Sequence, residues 1–221
     1  MEKQPTIEEL KAIAKQLCCP EGEHGIKTGE VMNVNNIGMT YAAIDALSLQ
    51  NQDHILEIGH GNAGHLAYLL GKANDIHYQG ADISQTILKE ARKINETFIA
   101  AGQARFELTD GETLPFPNEI FDKIFTVNTL YFWKNPVSYL KEIKRVLKPS
   151  GLFILCFADK TFMEKLPFTP YGFELYDLDK ANDLLVQSGF TVINKATHTE
   201  EVNSNAGFKV TRNYHTILVK G

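Results

Sequence analysis

A glycine-rich segment holds the residues best suited to bind a ligand. Its sequence, HILEIGHGNAGHL, is an apolar run that contains Glu57 and is followed by Gly59, Gly61 and Gly64. Glycine allows sharp turns and lets the backbone approach a ligand, and the start of the following helix favours polar or anionic groups. Asp82 lies 18 residues beyond Gly64, near the ~20 residues expected for an acid that binds a ribose. The spacing predicts a nucleotide-type cofactor without selecting one.

The sequence from residue 54 onward alternates strand-like and helix-like patterns that would position this segment. Short apolar runs predict five strands at 54–58, 76–81, 104–108, 123–127 and 152–157. Ser84 and the Asn135-Pro136 pair are helix start signals between them. Two later runs, 190–194 and 208–219, are expected to pair as an antiparallel hairpin that closes the sheet. This pattern is typical of an α/β fold.

Residues 1–48 precede this pattern and form a separate predicted unit. Helical spacing of apolar residues predicts one helix over 6–17 and a second helix that ends near Ser48. The loop predicted between them holds Pro20, Gly22, Gly25 and Gly29. We expect residues 1–48 to be a helical lid that carries part of an acceptor site, with residues 49–221 as the core. The alternative is that both helices simply pack on the sheet.

Composition excludes several classes of protein. The chain has 221 residues with 43% hydrophobic and 22% charged residues, which is ordinary for a globular protein. A formal charge of −5 without a basic run disfavours nucleic acid as a partner. We expect no membrane span and no metal site, because apolar runs are short and the three cysteines form no C-x-x-C pair. The polar, acidic start favours a cytoplasmic protein.

Five segments, taken together, resemble one known family. In chain order they are LEIGHGNAG, GADIS, TDGETLPF, IFDKIFTVNTLYFW and LKEIKRVLKPSGLFIL, which span about residues 54–155. They resemble the class I S-adenosylmethionine-dependent methyltransferases, in particular the small-molecule branch with the ubiquinone and menaquinone biosynthesis enzymes. Ala63 and Ser150 depart from glycines common in that family. The resemblance implies a Rossmann-like methyltransferase fold, a mostly parallel seven-stranded sheet with helices on both faces and an antiparallel C-terminal hairpin.

The resemblance also implies S-adenosylmethionine as the cofactor and assigns residues to it. The implied cofactor-binding residues are Glu57, Gly59, Gly61, Asp82, Ile83, Asp110, Gly111 and Asn128. Asp82 would accept both ribose hydroxyls, since a carboxylate has two acceptor oxygens. Ile83 would pack on the adenine and Asp110 would accept from its amine. The alternatives are a helix cap for Asp82 and a turn with Gly111 for Asp110.

The expected methyl acceptor is a small, apolar or aromatic molecule. Its candidate contacts are Met32, Met39, Tyr41, Tyr131, Trp133, Phe168 and Tyr171. Methyl transfer mainly requires alignment and exclusion of water, so no catalytic residue is assigned. His60 is the one candidate for a general base, with a plain loop role as its alternative. The rival functions are an NAD(P)-dependent oxidoreductase and a non-enzymatic S-adenosylmethionine-binding module.

Overall fold

A seven-stranded sheet forms the centre of the protein in the computed structural model, which describes residues 5–203 and 209–221. Its strands are β1 (His54–Ile58), β2 (His77–Asp82), β3 (Ala104–Leu108), β4 (Phe121–Val127), β5 (Leu147–Ala158), β6 (Thr191–Asn203) and β7 (Lys209–Lys220). The strand order is β3-β2-β1-β4-β5-β7-β6, and β7 runs in the opposite direction to the other six strands. The predicted Rossmann-like sheet with its C-terminal hairpin is confirmed.

Eight α-helices connect or flank these strands in the described ranges. They are α1 (Ile7–Cys18), α2 (Gly22–Ala46), α3 (Leu66–Leu70), α4 (Gln85–Ile94), α5 (Glu96–Ala100), α6 (Pro136–Val146), α7 (Lys160–Met163) and α8 (Leu178–Gln187). The predicted start signal at Ser84 is confirmed, because its hydroxyl accepts from the Ile87 N–H at 3.1 Å. Pro136 opens α6, although the Asn135 side chain makes no capping hydrogen bond. None of these helices has the length and apolar character of a membrane span.

The predicted glycine-rich loop in the N-terminal segment is wrong from Gly22 onward. Gly25 and Gly29 lie inside the 25-residue helix α2 and are buried there. A Cβ at Gly29 would come within 2.6 Å of Ile87 Cδ1, so the missing side chain lets α2 pack closely on α4. These glycines therefore act as close-packing positions within a helix rather than as a hinge.

The C-terminal hairpin is longer than the sequence predicts. β6 continues to Asn203 instead of ending at residue 194, and residue 208, the start predicted for the last strand, lies outside the described residues. β5 pairs with β7 only from Leu152 to Ala158, so the hairpin extends past the carboxyl end of β5. That extension reaches α2, where the Arg212 guanidinium donates to the Asn35 carbonyl oxygen at 2.6 Å.

Candidate functional site

A cavity opens at the carboxyl ends of β1, β2 and β4. β1 lies between β2 and β4, so the chain order reverses there, and ligands of open α/β sheets bind at such a point. The lining comes from the loop after each of these strands, from β3's following turn and from α2. Four of the five segments that resemble the methyltransferase motifs therefore meet at one cavity.

Backbone geometry explains the first two glycines of the loop after β1. Gly59 and Gly61 have positive φ angles of +72° and +54°, a region that side chains rarely adopt. A Cβ at Gly59 would collide with the Thr129 methyl group, whereas a Cβ at Gly61 would meet no protein atom within 4 Å. Gly61 lines the cavity, so its open space is room for a ligand.

Asp82 ends β2 at the cavity wall and is 8% exposed. Its Oδ1 accepts from the Ser84 N–H at 2.8 Å. Burial raises the pKa of Asp82, and hydrogen bonds from the N–H groups of Ser84 and Gly61 oppose that rise. A buried carboxylate in this position is costly for the folded protein and is suited to hydroxyl donors from a ligand.

The turn between α1 and α2 covers this same region. The Ser84 hydroxyl donates to the Pro20 carbonyl oxygen at 2.5 Å, and the Gly22 N–H donates to Thr86 Oγ1 at 3.2 Å. Cys18 and Pro20 line the cavity beside Ile83, which is 37% exposed. The N-terminal segment is therefore part of the wall at the predicted ribose and adenine positions.

Glu57 is held in a buried polar cluster beneath the glycine loop. Its Oε2 accepts from the Tyr78 hydroxyl at 2.5 Å and lies 2.8 Å from His65 Nε2. Burial alone would raise the pKa of Glu57, but the His65 charge and the hydrogen bonds from His65 and Tyr78 lower it overall. Glu57 therefore stays ionised and lines the cavity as a fixed negative group.

His60 lines the cavity together with Glu57 and Asp82. Its ring is 3% exposed and its Nδ1 is 2.6 Å from the Gly61 carbonyl oxygen. The ring also packs edge-on against Phe106 with centroids 5.0 Å apart. The role of His60 as a general base stays a prediction. Its neighbours are the residues predicted to bind the cofactor, and we call this part of the lining the cofactor end.

Asp110 and Gly111 are neighbours in the chain but have different surroundings in the structure. Gly111 lines the cavity with φ +77°, as a backbone approach to the adenine would require. The exposed Asp110 carboxylate instead accepts from the N–H groups of Glu112 at 2.8 Å and Thr113 at 2.7 Å. These bonds, led by the Thr113 N–H, lower the pKa of Asp110. Its turn role is present, and its contact with the adenine amine stays a prediction.

Asn128 shapes the end of β4. Its φ of +60° is in the left-handed region, which asparagine tolerates better than most residues. Its Oδ1 accepts from the Ala158 N–H and from the Tyr131 hydroxyl, each at 3.0 Å. The backbone N–H of Asn128 donates to the Cys156 carbonyl oxygen at 2.9 Å, so its own carbonyl oxygen is the backbone group left for a ligand.

Two of the seven residues predicted to contact the acceptor, Met32 and Trp133, line the cavity. The other five lie outside its lining: Met39 and Tyr131 are buried in the core, Tyr41 stacks on Tyr68, and Phe168 and Tyr171 lie in the segment after α7.

Sequence reasoning missed a polar row on α2. Asn33, Asn36 and Thr40 line the cavity together with Met32, Phe132 and Trp133. Their spacing of three and four residues places them on one helix face, a signal that was present but hidden by the predicted loop. We call this part of the lining the acceptor end.

Arg212 of β7 fixes the position of this row. Its Nη1 donates to Asn36 Oδ1 at 3.1 Å, and its Nη2 donates to Glu200 Oε1 at 2.7 Å. The Arg212 side chain is 7% exposed and that of Glu200 is 21% exposed. Since Arg212 occupies the amide oxygen of Asn36, the amide N–H groups are the part left for a ligand.

Comparison with known proteins agrees with this fold and site. The pattern of the methyltransferase domain family Methyltransf_11 matches residues 56–155. The uncharacterized methyltransferase YdaC of Bacillus subtilis is 31% identical over 124 residues, which cover 56% of this chain and 66% of YdaC. An O-methyltransferase of Pyrenophora dematioidea is 27% identical over 164 residues, covering 70% of this chain and 60% of that enzyme. The chain thus spans less than two thirds of either relative.

A solved structure extends the comparison to the fold. An S-adenosylmethionine-dependent methyltransferase from Aquifex aeolicus superposes with a TM-score of 0.64 at 17% identity, covering 95% of this chain and 97% of the other. Residues 56–155 therefore match a methyltransferase domain, and the chain has the fold of that solved S-adenosylmethionine-dependent enzyme. The predicted class and its cofactor are confirmed, whereas the ubiquinone and menaquinone branch stays a prediction.

Proposed function

We propose that the protein transfers a methyl group from S-adenosylmethionine to a small-molecule acceptor with an apolar or aromatic body. The observation that carries this proposal is the cavity at the sheet edge, which Gly61, Asp82 and Gly111 all line. Each of the three would contact a different part of the cofactor. S-adenosylmethionine supplies an electrophilic methyl group on a sulfonium when it is bound. The names of two relatives as O-methyltransferases support an oxygen acceptor.

The protein's own part in the reaction is alignment and exclusion of water. Asp82 would hold the ribose, and Glu57 would attract the positively charged amino group of the methionyl part. The rings of Phe132 and Trp133 line the acceptor end, where aromatic faces stabilise a cation and pack on an apolar acceptor. Asn33, Asn36 and Thr40 would orient the polar atoms of the acceptor. We propose that α1 and the turn after it cover the cavity and that α2 is a fixed wall. The proposed lid is therefore shorter than the predicted segment 1–48.

The proposal is tested first by ligand binding and then by methyl transfer. S-adenosylhomocysteine should raise the melting temperature, whereas NADH should leave it unchanged; the reverse would contradict the proposal. Tritiated S-adenosylmethionine mixed with a small-molecule extract should then label a compound of low mass that partitions into organic solvent. Labelling of nucleic acid instead would contradict the proposed acceptor. A cytoplasmic site for this reaction stays part of the proposal.

A further inference from the structure

His60 has an unusual hydrogen-bond deficit. Across residues 5–203 and 209–221, His60 Nε2 is the one buried side-chain nitrogen or oxygen without a hydrogen-bond partner. Buried polar atoms are nearly always paired, so an unpaired one calls for an explanation. His60 is also among the residues that line the cavity. A ligand in that cavity is the simplest partner for it.

The other ring nitrogen decides what His60 Nε2 can accept. Nδ1 is 2.6 Å from the Gly61 carbonyl oxygen, and a carbonyl oxygen only accepts hydrogen bonds. Nδ1 must therefore carry the hydrogen. In the neutral ring, which has one donor and one acceptor nitrogen, Nε2 then presents a lone pair and can accept from a donor.

The position of the ring indicates which donor this is. A Cβ on Gly80 would lie 2.7 Å from His60 Cδ2, so the ring covers β2 two residues before Asp82. Asp82 Oδ1 already accepts from the Ser84 N–H. A ribose brings two hydroxyl donors to this point. Asp82 Oδ2 and His60 Nε2 offer one acceptor for each of them.

We infer that His60 is a cofactor-binding residue whose Nε2 accepts a hydrogen bond from a ribose hydroxyl of S-adenosylmethionine. This inference rests on the proposed function and changes its expected ribose contact. Asp82 then shares the diol with His60 instead of binding both hydroxyls. The glycine at position 80 belongs to the same arrangement, because any side chain there would displace the imidazole.

The test measures the affinity of S-adenosylhomocysteine by calorimetry for three variants. His60→Phe keeps a ring but loses the acceptor, so its affinity should fall about three- to tenfold. His60→Gln restores an acceptor atom near the Nε2 position and should bind within about twofold of wild type. His77→Phe changes an exposed histidine at the other end of β2 and is the matched control with unchanged affinity. Equal affinity of His60→Phe and wild type would overturn the inference.

Two further measurements locate the donor, and the second uses wild-type protein alone. Methylthioadenosine keeps the ribose but lacks the amino acid part, so the His60→Phe loss should persist with it; a loss confined to S-adenosylhomocysteine would overturn the ribose assignment. In wild-type protein with ¹⁵N-labelled histidine, Nε2 should be unprotonated and should shift on ligand binding. An Nε2 resonance that does not respond would also overturn the inference. Failure of wild type to bind S-adenosylhomocysteine would instead overturn the proposed function.

Discussion

The two ends of the cavity are built from different parts of the molecule. At the cofactor end, backbone turns and short segments provide the lining, among them residues 57–62, Thr109 and Gly111. At the acceptor end, side chains of α2 and of the turn after β4 provide it. The first set lies within the residues that match the methyltransferase domain, and α2 lies outside them. The cofactor end is thus a local property of the sequence, and the acceptor end is a property of tertiary packing.

This difference assigns separate tasks to the two ends. The glycines with positive φ and the acid at the end of a strand are set by the local backbone geometry. This arrangement suits one fixed ligand. The row on α2 depends on Arg212, which is 176 residues away from Asn36 in the chain. A helix that is held by distant contacts can change its cavity-facing residues without disturbing the glycine loop. Acceptor choice is therefore expected to vary independently of cofactor binding.

Substitution of the two loop glycines gives the largest expected effect and separates folding from binding. Gly61→Ala meets no protein atom and carries only left-handed strain of roughly 1–2 kcal/mol, but it fills ligand space. We expect more than about a hundredfold loss of S-adenosylhomocysteine affinity with a modest fall in melting temperature. Gly59→Ala collides with the Thr129 methyl group and should lose stability as well.

A second substitution controls for that collision. Thr129→Ser removes the methyl group and keeps the hydroxyl, which lies 2.5 Å from Thr126 Oγ1. The Gly59→Ala/Thr129→Ser protein should recover part of the lost melting temperature. Equal melting temperatures for Gly59→Ala and Gly61→Ala would show that the loop is not constrained by Thr129.

Particular residues show what sequence reasoning could and could not reach. Gly59, Gly61 and Asp82 were predictable because a turn without Cβ atoms and an acid at a strand end leave a local spacing pattern. Gly29 led to the wrong prediction of a loop, because glycine disfavours helices. Here its close packing against Ile87 stabilises it inside a helix. Asn36 gave no sign of its role, since that role depends on the folded hairpin.

Asp82→Asn should lower the affinity for the cofactor product S-adenosylhomocysteine and raise the stability of the ligand-free protein. Loss of a charged acceptor for buried hydroxyls costs about 1.5–3 kcal/mol, or roughly ten- to a hundredfold in affinity for S-adenosylhomocysteine. Because burial raises the pKa of Asp82, the folded protein holds that proton more tightly than the unfolded chain does. Stability without ligand therefore falls as the pH rises through the window above the carboxyl's ordinary pKa.

Asparagine keeps the shape of Asp82 and removes that dependence. The ligand-free variant should melt at a higher temperature than wild type at neutral pH, and the gap should close in acid. Calorimetric melts between acid and neutral pH would show it. A variant less stable than wild type at pH 7 would contradict the account of Asp82 as a strained, ligand-ready carboxylate.

Arg212→Met should damage only the acceptor end. The substitution removes the cation from the partly buried Glu200 and the donor from Asn36. The free energy of unfolding, measured by urea titration, should fall by about 1–3 kcal/mol. This loss is smaller than that for a fully buried pair, because Glu200 is partly exposed. Affinity for S-adenosylhomocysteine should stay near wild type. The Arg212→Met/Glu200→Gln protein is the control and should regain part of the stability. A parallel loss of cofactor affinity would mean that the two ends are coupled.

Removal of most of α1 should have the smallest effect, because this helix buries only Ala14. A protein lacking residues 1–16 should fold and bind S-adenosylhomocysteine within about threefold of wild type, since Cys18 and Pro20 remain at the cavity. Removal of residues 1–31 should instead abolish folding, because it cuts α2 beyond Gly29 and deletes the Pro20 carbonyl that accepts from Ser84.

The rate of methyl transfer by the protein lacking residues 1–16 then decides what α1 does. If α1 is the moving part of the cover, the protein lacking residues 1–16 should bind the cofactor product normally but methylate its acceptor more slowly, because water enters the cavity. Full turnover would restrict the cover to the turn around Pro20. A stable fold after removal of residues 1–31 would contradict the view of α2 as a fixed wall and would return its glycines to the role of a hinge.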